Sequence, residues 1–129
     1  MTGLEPERVE PTPRRIRVRL GDRLVADSTR AAADTIYPGW HEMFTKVSRE
    51  RGFAQPTRAQ FDATSGPNGA FFMGDPDTVA DKLVRVSGQL GGVDRVSIQM
   101  TNPRLAHDDL LRGIELLGTE VAPRVAASA

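Results

Sequence analysis

The chain has 129 residues, 39% hydrophobic and 26% charged, enough for one modest core and too few for two full domains. Seventeen basic and seventeen acidic side chains cancel, so no long-range field favours nucleic acid or an anionic membrane. There is no Cys, which excludes a disulfide framework and thiolate chemistry, and no signal-peptide core or membrane-length apolar run occurs; the expectation is a soluble cytoplasmic protein.

Residues 1–13, MTGLEPERVEPTP, offer only Leu4 and Val9 as larger apolar groups and read as a flexible tail. In RRIRVRLGDRLVAD, Ile16, Val18 and Leu20 alternate with Arg15, Arg17 and Arg19, and Gly21-Asp22 suits a tight turn before Leu24 and Val25. A β-hairpin segment is therefore expected over 14–36. Its Arg row resembles a phosphate-contacting surface, but without net charge or interleaved aromatics it reads as a solvated strand face rather than a nucleic-acid site. After Pro38, Trp40, Met43, Phe44 and Val47 fall at helical spacing, and Gly52 follows Lys46, Arg49 and Arg51 as a stop. Trp40, Phe44 and Phe53 fit core better than a cofactor-stacking box, and His41, with no second His nearby, reads as a lone exposed imidazole. Thr57 and Gln60 form a capping box for a short helical turn, which breaks on Ser65-Gly66-Pro67-Asn68-Gly69.

The short apolar run Ala70-Phe71-Phe72-Met73 reads as a strand covered on both faces. Asp75 stands at N-cap, Pro76 at N1 and Asp77 in the first turn of a helix expected over 76–90, with Val79, Leu83, Val86 and Leu90 on one stripe and Gly91-Gly92 as its stop. VDRVSIQM alternates, with Val96, Ile98 and Met100 on one face and Ser97 and Gln99 on the other. A last helix carries Leu110, Ile114, Leu117 and Val121, and Pro123 is expected to truncate it. The order β, α, β, α fits right-handed parallel crossovers.

Three ligand readings of Gly74-Asp75-Pro76-Asp77 and its surroundings are weaker than the structural one. A phosphate cradle wants several converging glycines, and only Gly74 is present. A hard cation wants about six oxygens, and Asp75, Asp77 and Asp81 spread around the helix instead. His107 with Asp108 and Asp109 has no nucleophile tied to it by spacing, and the two Asp fit a helix N-terminus equally well.

Several features occur together in order: Gly74 and Pro76, Val79-Ala80 with Lys82-Leu83, Gly92 with Asp94-Arg95, Gln99, and Glu120-Val121 with Pro123. This arrangement over residues 37–126 resembles the carboxyl-terminal end of the luciferase-like flavin-dependent oxidoreductases, which include monooxygenases. The resemblance implies an α/β fold, a partial β/α barrel made of its last strand-helix units and preceded by the short β-hairpin. The division expected is a tail at 1–13, a hairpin segment at 14–36 and a luciferase-like segment at 37–129. PRRIRVRLGDRLVADSTRA looks instead like the opening strands of an unrelated small β-rich family of unassigned function.

Barrel ligands sit at the carboxyl ends of strands, which makes Gly74, Gln99 and Thr101 the cofactor-facing positions the resemblance implies, with FMN or deazaflavin as the cofactor. The family's catalytic and flavin-phosphate residues come largely from earlier strands and map onto no position here. The function implied is a truncated oxidoreductase, inactive alone; the alternative is a small non-catalytic binding or assembly module. Open strand edges and unflanked helices imply a homo-oligomer protecting Phe71, Phe72, Val96 and Ile98, without nucleic-acid or membrane partners.

Overall fold

The computed structural model describes residues 19–20, 29–100 and 102–128, with only the backbone of the first two. The elements are β1 (Arg19–Leu20), α1 (Thr29–Arg51), α2 (Arg58–Ser65), α3 (Pro76–Gln89), β2 (Ser97–Ile98), α4 (His107–Leu116), a π-helical turn (Leu117–Val121) and α5 (Ala122–Ala127). The two strands pair in parallel, Arg19 opposite Ser97 and Leu20 opposite Ile98. Beyond that pairing the described residues hold one isolated bridge, at Gly74. The partial β/α barrel is therefore overturned: this is a small, mainly helical fold.

The reason lies in Phe71-Phe72-Met73. The run is buried on both faces as its composition requires, but by helices rather than by a sheet. Phe71 and Met73 join Ala32, Ile36 and Trp40 of α1 and Phe61 of α2 in one cluster. Phe72 faces the other way, into a second cluster with Val79 and Ala80 of α3, Leu116 of α4 and Val121 of the π-turn. The extended chain thus separates two helical layers. Neighbouring strands do not satisfy the Phe71 backbone: its N–H donates to the Thr64 carbonyl at 3.0 Å, and its carbonyl accepts from the Lys82 ammonium. An apolar run needs burial and paired backbone groups, and helices with one lysine supply both.

Helix α1 starts at Thr29, so residues 29–36 of the expected hairpin segment are helical. It runs through Pro38 rather than beginning after it. Proline lacks the N–H that would reach the Asp34 carbonyl, and the Asn102 side chain packs against the following turn, its Nδ2 donating to the Ile36 carbonyl at 3.1 Å. Gly39 makes that approach possible, since a Cβ there would land on the Asn102 carboxamide. Gly52, at φ 68°, ends the helix after Arg49 and Arg51, and Phe53 N–H returns to the Ser48 carbonyl at 2.9 Å. The expected tail and the Gly21-Asp22 turn lie outside the described residues.

Pro123 does not truncate the last helix either. Its missing N–H and its ring displace the bond to the Thr119 carbonyl, and the turn widens so that Ala122 N–H reaches Leu117, after which α5 continues to Ala127. Helix α3 packs along this run, and its stripe is graded: Val79 is buried, Leu83 and Val86 are half-buried, and Leu90 is exposed.

Candidate functional site

The turn after Met73 is built as a cap. Asp75 has extended φ and ψ of −69° and 166°, and its Oδ1 accepts from the Thr78 backbone N–H at 2.8 Å. The Thr29 hydroxyl of α1 donates to the other carboxylate oxygen at 2.9 Å, tying two helices through one side chain. These bonds hold the Asp75 carboxyl below its ordinary range, the Thr78 amide being the largest cause. Pro76 fills N1 and Asp77 lies in the first turn, so the positive end of α3 is engaged by the chain's own carboxylates. Gly74 is buried at φ 145°, and a Cβ there would lie 2.9 Å from Thr29 Oγ1; the position demands glycine for conformation and space alike.

Beside this cap lies a cavity of about 500 Å³, lined in part by Thr29, Met73, Thr78, Asp81, Lys82 and Arg85. Lys82 is only 6% exposed. Its ammonium donates to the Gly66 carbonyl at 2.8 Å and to the Phe71 carbonyl, and it sits 5.1 Å from the centre of the Phe72 ring. The Arg85 guanidinium donates to the Pro67 carbonyl. Both cations thus hold the 66–71 loop onto α3.

Of the positions the resemblance implies, Gly74 adjoins this cavity through Met73 and Thr29. Gln99 is exposed two residues beyond the start of β2 and is not among the described lining residues. Thr101 lies outside the described residues. The donor set also does not fit a flavin. The two cations that would meet a phosphate are committed to backbone carbonyls, Asp81 lines the same cavity, and among the described lining residues Met73 and Pro67 are the sizeable apolar groups for a ring system.

Other residues singled out in the sequence take structural places. His107 opens α4 with Asp108 and Asp109 in its first turn. His41 is exposed and tilted against Tyr37, ring centres 5.7 Å apart. Among the described residues, no group of three or more His, Asp or Glu is placed to hold a metal, and no helix is long and apolar enough to cross a membrane. Trp40 is core, while Phe53 at 62% exposed is not. Two residues matter most for these surfaces: Lys82, which the sequence marked only as a position of the resemblance and not as a buried tie, and Asn102, whose only signal is an Asn-Pro turn.

A second, apolar groove of about 410 Å³ opens between α3, the segment around β2 and the last helical run. Leu83, Val96, Ile98, Leu117, Val121 and Val125 line it, with Asp94 and Arg95 at its rim. Val96 remains 38% exposed. Compared with known protein families and with curated proteins, the chain matches none.

Proposed function

We propose that residues 37–126 are a luciferase-like flavin-dependent oxidoreductase segment that is inactive on its own; the second reading is a small non-catalytic binding or assembly module. The observation that carries the reading is the internal use of Lys82 and Arg85, which line the cavity beside the Asp75 cap and bond the chain's own carbonyls at Gly66, Phe71 and Pro67. The open apolar groove beside β2 supports the module reading, because burying such a surface against a partner is favourable. The partner class is protein, including a second copy, and zero net charge argues against nucleic acid. The setting is cytoplasmic, supported by the absence of Cys.

Titration of FMN, and separately of a deazaflavin, with the purified chain tests the reading by flavin fluorescence. Emission that stays proportional to added flavin into the high micromolar range is the expected result. Saturable micromolar quenching would overturn it, showing a retained cofactor site.

A further inference from the structure

The apolar groove continues along the helix that forms one wall. Ile114, Leu117, Val121 and Val125 follow at offsets of three, four and four and share one stripe, and Leu111 precedes Ile114 by one turn. Leu111 and Ile114 are 51% and 50% exposed, an apolar ridge on the stripe that continues to Leu117, the first residue of this run to line the groove. Ala122 and Ala126 lie on the groove's wall and present no bulk to keep a second helix away.

We propose that a second copy of this chain covers this strip, packing its own α4–α5 run against it about a two-fold axis. Three observations favour a copy over another partner. Asp94 and Arg95 are adjacent, exposed and of opposite sign at the rim, so a two-fold axis near them sets Arg95 against the partner's Asp94 and the reverse. Arg112 and Glu115, 2.9 Å apart, flank the ridge with the same balance of charge. Zero net charge removes the long-range repulsion between like molecules. The strip from Leu111 to Val125 is about 21 Å long at about 1.5 Å per residue. A single helical strip of that length makes a small interface, so the dimer is a weak one.

The inference rests on the assembly reading above and is tested separately from it. Sedimentation velocity over a concentration series from low to high micromolar is expected to show reversible monomer and dimer. Leu111→Glu with Ile114→Glu, both at exposed positions, should weaken the dimer at least about tenfold while helical circular dichroism is retained. Asp94→Arg alone should weaken it, and Asp94→Arg with Arg95→Asp should restore it, because the pairing across the axis is then reversed on both sides. A monomer at every concentration, or a dimer indifferent to the ridge variants, would overturn the inference, as would failure of the double reversal to restore association. None of those outcomes bears on flavin binding, so the assembly surface and the loss of the cofactor site fail independently.

Discussion

Gly39→Ala sets helix propensity against packing, and the two predict opposite signs. Inside a helix, alanine in place of glycine is worth about 1 kcal/mol. Gly39 lies within α1, one residue after Pro38, and its missing Cβ is where the Asn102 carboxamide sits. That amide donates to the Ile36 carbonyl at 3.1 Å and accepts from the Arg104 N–H at 3.1 Å. It also holds a segment whose Leu105 packs on the first core cluster and whose Arg104 pairs with Glu42. Expelling it forfeits two hydrogen bonds at about 1 kcal/mol each, with roughly another 1 kcal/mol from displaced packing. Packing wins, and the net effect is destabilisation of about 1–3 kcal/mol. In an Asn102→Ala background the obstacle is gone, and the same substitution should be neutral or stabilising by up to about 1 kcal/mol. Urea unfolding followed by far-ultraviolet circular dichroism measures this: with a slope of about 1–2 kcal/mol per molar for a chain of this size, the single variant shifts the midpoint downward by about 1 M. A higher midpoint for Gly39→Ala in the otherwise unchanged chain would refute the reasoning.

Three further outcomes are expected. Lys82→Met should lower stability by about 2–4 kcal/mol, because two carbonyls that accept from a buried ammonium lose a charged donor; an unchanged urea midpoint would remove the internal-tie account. Asp75→Ala should cost about 1 kcal/mol at neutral pH. Since the folded carboxyl is held below the ordinary aspartate range, the folded state binds fewer protons than the unfolded one just beneath that range. Its stabilisation is therefore complete above that range and fades as pH falls through the depressed value, so the variant should show a shallower acid limb; an identical limb would contradict the cap's role. Phe61→Ala should cost about 3–5 kcal/mol, since Phe61 is fully buried with ring centres 5.2 Å from both Tyr37 and Trp40. A tryptophan emission maximum and melting midpoint both left unchanged would exclude Phe61 from the core.

What the sequence determined by itself was local. The Thr57–Gln60 capping box, with bonds of 3.2 and 2.9 Å in the two directions, was legible because both partners lie within one turn. So were the Asp75 cap with Pro76 at N1, the glycine stops at Gly52 and Gly91-Gly92, and the need to bury Phe71 through Met73. Each depends on residues a few positions apart, whose geometry the backbone fixes without help.

The tertiary structure alone decided what those pieces build. A four-residue apolar run states that both faces want burial and leaves open whether strands or helices provide it; here α1 and α2 cover one face and α3 with the last helical run covers the other. The tie from Lys82 spans 16 residues to Gly66, and the notch that receives Asn102 lies 66 residues from it at Ile36, so neither leaves a periodic trace. The same holds at the candidate site. Gly74 and Gln99 resemble barrel positions only while the strands between them form a sheet, and once the backbone of Phe71 is satisfied by Thr64 and Lys82, no sheet is needed to bury it.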